Sequence, residues 1–119
     1  MEHLLELAKR NQERAWEVIR QTDIINIWKS VGAEINLVGS LNMGLLMKHK
    51  DIDFHIYTSP FRISDSFQAM ARLAENPLIK RIEYGNSLDT EERCVEWHAW
   101  FQLSLIHISE PTRRRGISY

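Results

Sequence analysis

The segment of residues 51–58 constrains the fold more strongly than any other part of the sequence. It reads DIDFHIYT, so polar and apolar side chains alternate along its length. Because successive side chains of a β-strand point to opposite faces, this alternation predicts a strand with one buried and one solvent-facing side. A sheet built around such a strand needs a covering layer on one face only. The predicted polar face carries Asp51, Asp53, His55 and Tyr57.

Hydrophobic periodicity and turn residues divide the rest of the chain into helices and strands. Apolar residues at helical spacing predict helices over residues 2–20, 24–31, 41–47 and 64–75. Short apolar or alternating runs predict further strands over residues 33–38, 78–84 and 93–102. The order of these elements predicts an α/β (α+β) fold, in which helices flank a mixed sheet.

Glycine, serine and proline indicate where two of the helices begin and end. Gly32 is expected to end the second helix. Ser64 is the predicted N-cap of helix 64–75, and Asn76-Pro77 follows its last turn. The predicted core-facing residues of that helix are Phe67, Met70, Ala71 and Ala74.

The composition is that of an ordinary globular domain. Hydrophobic residues make up 44% of the 119 residues and charged residues 26%, which excludes a disordered chain. The formal net charge of −1 lacks the positive excess typical of nucleic-acid-binding domains. A single cysteine, Cys94, excludes an internal disulfide. Because the N-terminus lacks the apolar stretch of a signal peptide and no apolar run is long enough for a membrane span, we expect a cytoplasmic protein.

The C-terminal segment has a different character from the rest. Residues 103–113 read LSLIHISEPTR, a string that resembles the translation of a transposase-type sequencing-library adapter. The alternative is a natural basic strand and tail. We exclude residues 103–119 from the fold prediction and expect residues 1–102 to form an incomplete, C-terminally truncated domain. Without this tail the chain holds 12 basic and 15 acidic residues, which makes a nucleic-acid surface less consistent still.

The residues with the clearest chemical role flank the predicted helix 41–47. Gly39 and Ser40 follow a predicted strand, and after a spacer of ten residues Asp51 and Asp53 begin the next one. A glycine allows close backbone approach to a phosphate, and a serine adds a hydroxyl donor. Carboxylates at positions i and i+2 of a strand lie on one face, about 6 to 7 Å apart, where they can hold Mg²⁺ together with substrate phosphates.

At these positions the sequence resembles the DNA polymerase beta-like nucleotidyltransferase superfamily, in particular the small bacterial enzymes of the aminoglycoside and lincosamide type. The resemblance implies transfer of a nucleoside monophosphate from a nucleoside triphosphate to a hydroxyl of a small molecule, such as an antibiotic, with release of pyrophosphate. It also implies a two-metal Mg²⁺ site at Asp51 and Asp53, and triphosphate binding at Gly39 and Ser40.

The family also uses a third acidic residue on a later strand, as a general base or an extra metal ligand. The resemblance makes Glu96 a candidate for this catalytic residue, because it stands in the hydrophobic-acid-hydrophobic sequence VEW. Its predicted strand face also carries His98 and Trp100. A further strand beyond Gln102 is the alternative source of this acid.

Several alternatives stay open at the level of sequence. The chain could be a nucleotidyltransferase-like binding module, such as an antitoxin or regulatory partner, and it could form a homo-oligomer. Asp51 and Asp53 could also be a solvated strand edge. We expect Trp97 and Cys94 to be buried, and His55 to be a surface residue. The five histidines lack close metal-ligand spacing, so the sequence predicts no structural zinc site.

Overall fold

The computed structural model describes residues 2–38, 51–102 and 104–111. Within these ranges the chain forms helices and strands close to the predicted ones. The helices are α1 (Glu2–Thr22), α2 (Ile24–Ser30) and α3 (Ile63–Ala74). The strands are β1 (Glu34–Val38), β2 (Asp51–Tyr57), β3 (Ile79–Ser87), β4 (Cys94–Phe101) and β5 (Ser104–Pro111). The predicted helix 41–47 lies outside the described residues.

All five strands belong to one sheet, in the order β1-β2-β5-β4-β3. Strand β2 is parallel to β5, whereas β1 and β2, β3 and β4, and β4 and β5 are antiparallel pairs. The sheet is therefore mixed, and helices flank it, as the predicted fold class requires. None of the helices in the described ranges has an apolar stretch long enough to cross a membrane.

The middle strand comes from the segment that was excluded from the fold prediction. Residues 104–111 read SLIHISEP, and their side chains alternate between buried and half-buried along β5. This period of two matches the period of a strand, which accounts for the way the segment fits between β2 and β4. The place of a strand in the fold does not show where its sequence comes from. The interpretation of residues 103–119 as foreign to the domain therefore stays a prediction.

One face of the sheet is buried beneath the helices and forms the core. Strand β2 contributes the apolar side chains that alternate with its polar ones, and Val95, Trp97 and Ala99 of β4 pack beside them. Trp97 and Cys94 are both buried, as predicted. The strongest contribution from the helices is Trp28 of α2, which is fully buried. The buried side chains of β2 and β5 are Ile52, Phe54, Ile56, Ile106 and Ile108.

The predicted core face of α3 is partly wrong. Ala71 and Ala74 are exposed, and Phe67 keeps 45% of its surface in solvent. Two stripes with the same helical spacing run side by side along this helix. The one that contains Leu73 faces the core, whereas Phe67 packs at its edge against Tyr84 and Trp97. Ser64 does not cap the helix, which begins at Ile63 with no side-chain cap. The buried residues are Ser66, Ala69, Met70 and Leu73.

The end of α2 follows the sequence prediction. Gly32 adopts a φ of +84°, the left-handed region that glycine enters without a steric penalty, and its backbone N–H donates to the Lys29 carbonyl. This turn directs the chain from the helix into β1. Along α1, Ala15, Val18 and Ile19 lie on the predicted buried face.

Candidate functional site

Most polar side chains of the three middle strands, β2, β5 and β4, lie on the face opposite the helices. We call this surface the open face. The alternation predicted for β2 is confirmed, because Ile52, Phe54 and Ile56 are buried while the residues between them reach solvent. Strands β4 and β5 show the same alternation. The open face carries Asp53, His55, Tyr57, Glu96, His98, Trp100, His107 and Ser109.

The strand register brings four of these side chains together in the middle of the sheet. Asp53 of β2 lies opposite His107 of β5, which in turn lies opposite His98 of β4. Nδ1 of His107 is 3.7 Å from Oδ1 of Asp53, and Nε2 of the same ring is 3.3 Å from Oε1 of Glu96. One imidazole therefore separates two carboxylates that belong to different strands.

The two imidazoles of this group are stacked. The ring centroids of His98 and His107 are 4.6 Å apart, and the ring planes differ by only 9°. All four side chains are half-buried, so they are held by neighbouring strands and still accessible from solvent. This combination of rigid backbone and exposed polar atoms is suited to binding a ligand or a metal ion.

The residues predicted for the site are only partly within the described structure. Asp53 and Glu96 both lie on the open face, on strands separated by β5. Asp51 is the first residue of β2, and its backbone pairs with that of Leu105. Gly39 and Ser40 lie outside the described residues, so the predicted phosphate-binding turn stays a prediction.

The region around Glu96 is strongly acidic. Glu92 lies close by, and its pKa is raised by a hydrogen bond with Glu96, by the repulsion of the same carboxylate and by partial loss of solvent. Burial raises the pKa of the Cys94 thiol, and the charges of Glu96 and Glu92 act in the same direction. A concentration of negative charge on one surface attracts cations.

Two sets of side chains could hold a metal ion. The donor atoms of Glu96, His98 and His107 lie within 4.8 Å of one another. The donor atoms of Glu92, Cys94 and Glu96 meet the same limit, so the two sets share one carboxylate. Asp53 adds a carboxylate whose side chain is 40% exposed, on the other side of His107.

Sequence reasoning missed the pairing of His98 with His107. The two residues are nine positions apart, and their spacing suggests no common site. They meet because the β4–β5 hairpin turns at Gln102, which has a φ of +54°, and this turn sets the register of the two strands. The alternation of residues 104–111 is the signal that could have revealed the pair, because it predicts a strand directly after β4.

The likeness to nucleotidyltransferases rests on the sequence motif and stays a prediction. Comparison of the chain with protein-family models and with curated proteins found no match.

Proposed function

We propose that this chain carries the active-site elements of a Mg²⁺-dependent nucleotidyltransferase. The reaction would move a nucleoside monophosphate from a nucleoside triphosphate to a hydroxyl of a small-molecule acceptor. The observation that supports this most is the position of Asp53. It lies half-buried on the open face, and Glu96 lies on the same face two strands away. Acidic residues from two different strands thus share one accessible surface.

Asp53 suits a hard cation. Its carboxylate is partly exposed, so an ion can reach the oxygens, and oxygen atoms are the ligands that Mg²⁺ prefers. Asp51 stands two residues earlier in the same strand, the spacing that places two side chains on one face. The pair would hold Mg²⁺, which supplies charge neutralisation of the triphosphate and of the developing negative charge.

The chemical step is an in-line displacement at the α-phosphorus. The acceptor oxygen forms a bond to that phosphorus while the bond between the α-phosphorus and the bridging oxygen breaks, and pyrophosphate leaves. The proton of the acceptor hydroxyl passes to a general base. Gly39 and Ser40 would bind the triphosphate through a backbone amide and a hydroxyl, as the resemblance implies.

Glu96 is better placed to act as the base than to share an ion with Asp53. The two residues lie on strands with β5 between them, so their backbones are separated by about 10 Å. His107 occupies the space between the two carboxylates. A carboxylate at this position faces an acceptor that lies along the open face, next to the triphosphate held near Asp53.

The proposal is tested by isothermal titration calorimetry of nucleoside triphosphate binding, with and without Mg²⁺. Asp51→Asn and Asp53→Asn should each weaken Mg²⁺-dependent binding at least about tenfold, which corresponds to about 1.4 kcal/mol. Asp89→Asn is the matched control, since it removes an acidic residue from the turn that follows β3. Binding that is equal in both motif variants and the wild type would show that the site is assigned wrongly.

Turnover is tested separately by pyrophosphate release with aminoglycoside and lincosamide acceptors. Glu96→Gln should reduce the rate about 100-fold or more while nucleotide binding stays within about threefold of wild type. If the chain binds the nucleotide with Mg²⁺ and releases no pyrophosphate with any acceptor, the result supports the alternative of a binding module.

A further inference from the structure

We infer that Glu96, His98 and His107 form a binding site for a divalent transition-metal ion, with Zn²⁺ as the representative. Its ligands differ from those of the proposed Mg²⁺ site, but it shares Glu96 with the proposed general base. An ion bound here would therefore prevent Glu96 from accepting the acceptor proton. Two imidazole nitrogens, which are borderline donors, with one carboxylate oxygen suit Zn²⁺ or Co²⁺ better than Mg²⁺, which prefers oxygen ligands. The three donors come from neighbouring antiparallel strands, so their backbones are held by the sheet.

The distances between the donor atoms are close to what a metal needs. The three donors lie within 4.8 Å of one another, and Nε2 of His107 is already 3.3 Å from Oε1 of Glu96. Ligands bound at about 2.0 to 2.2 Å in a tetrahedral site are separated by about 3.3 Å. The remaining difference is at most about 1.5 Å, and the stacked rings must also turn so that both nitrogens point at the ion. Side-chain rotation can provide both changes, because all three residues are half-buried and none is locked in the core.

Asp53 lies where metal-binding histidines usually have an outer hydrogen-bond partner, although its present distance of 3.7 Å from Nδ1 of His107 is longer than a hydrogen bond. Its carboxylate faces Nδ1 of His107 at 3.7 Å, on the side of the ring opposite Glu96. A proton on Nδ1 directed at Asp53 leaves Nε2 as the free donor. This arrangement of carboxylate, histidine and metal orients the ring and strengthens it as a ligand.

The surroundings also favour a cation with an accessible coordination position. Glu92, Glu96 and Asp53 place three carboxylates around the two rings, which offsets the charge of a divalent ion. Three protein ligands leave the fourth position of a tetrahedral ion open towards solvent. The open face therefore provides both the ligand set and access for the ion.

Titration of the full chain with Co²⁺ and with Zn²⁺ tests this site. Co²⁺ should give the visible absorption bands of a protein-bound ion with nitrogen ligands, and Zn²⁺ should displace it at one equivalent. Calorimetry with Zn²⁺ in an excess of Mg²⁺ should still show one site. No nucleotide is present, so failure of this experiment leaves the proposed nucleotidyl transfer untouched.

Substitutions locate the ion. His98→Gln and His107→Gln should each weaken Zn²⁺ binding at least about tenfold. His55→Gln is the matched control, since it removes a histidine from the same open face outside the cluster. Cys94→Ser should also leave the affinity unchanged. Weakening by Cys94→Ser to the same extent would overturn the proposal in favour of the set formed by Glu92, Cys94 and Glu96.

A measurement on the wild-type protein tests the site even if the substituted chains do not fold. On addition of one equivalent of Zn²⁺, the ring-proton resonances of His98 and His107 should shift in nuclear magnetic resonance spectra, while those of His55 stay in place. Absence of binding, or equal shifts of all three rings, would exclude the site.

Discussion

At the scale of single residues, Glu110 is the most unusual side chain of the core. It is fully buried on the helix-covered face of β5, where its Oε2 accepts a hydrogen bond from the Thr58 hydroxyl at 2.7 Å. Its other carboxylate oxygen has no hydrogen-bond partner within the described residues. Burial raises the pKa of Glu110 to about 7, the Thr58 hydrogen bond opposes this shift, and the charge of Asp65 adds to it.

This burial predicts that the protein loses stability as the pH rises. Below the ordinary carboxyl pKa of 4.5, Glu110 is protonated in both the folded and the unfolded chain and its titration has no effect. Above the folded pKa of about 7, the folded chain carries the full cost of a buried charge, about 3 kcal/mol. Urea denaturation of Glu110→Gln at pH 5 and pH 8 should therefore show a much larger gain in unfolding free energy at pH 8 than at pH 5.

The exposed Glu83→Gln substitution is the control for this measurement, because Glu83 lies at the surface of an edge strand. It should leave the difference in stability between pH 5 and pH 8 as it is in the wild type. If Glu110→Gln also keeps the wild-type difference in unfolding free energy between pH 5 and pH 8, the Glu110 carboxyl does not have the raised pKa that its burial predicts.

At the scale of elements, the strands were more predictable than the helix that packs on them. A strand has only two faces, and the alternation of residues 51–58 identifies both. Asp53 and Glu96 could therefore be assigned to solvent-facing positions from sequence. A helix offers many faces that differ by one residue, and the stripe through Phe67 and Ala74 has the same spacing as the buried one. Periodicity alone does not decide between the two stripes.

The orientation of α3 leads to a direct test. Leu73→Ala should lower the unfolding free energy by about 2 to 5 kcal/mol, because Leu73 is fully buried and its loss leaves a cavity. Ala74→Ser, one position further along, should change stability by less than about 0.5 kcal/mol because Ala74 is exposed. Chemical denaturation of both variants measures the difference. Equal effects would mean that the helix faces the sheet in another orientation.

At the scale of the whole molecule, one strand joins the two halves of the sheet. Among the strands in the described ranges, β5 is the one that pairs with both the β1–β2 pair and the β4–β3 pair. The predicted helices and strands of residues 1–102 were close to the observed ones, yet the complete sheet could not be predicted, because its middle strand lies in the segment set aside as adapter-like. The meeting of His98 with His107 was missed for the same reason, since it depends on the hairpin between β4 and β5.

This arrangement predicts the effect of shortening the chain. A chain that ends at Gln102 loses β5 and leaves two separate two-stranded pairs, which are marginally stable in water. Thermal unfolding followed by circular dichroism should then show no cooperative transition. A chain that ends at Pro111 keeps every described strand and should unfold cooperatively. A cooperative transition in the shorter chain would show that residues 2–102 fold without the middle strand.

The two strands that pair with β5 lie at very different distances from it along the chain. On one side, Phe101 pairs with Ser104 across a tight hairpin, which can form within microseconds. On the other side, Leu105 pairs with Asp51, so the chain must close a loop that contains α3 and two strands before this ladder forms. Long-range pairing of this kind slows folding, so we expect the β2–β5 ladder to be the late step. The surface where Asp53 meets His107 would thus be the last part of the sheet to assemble.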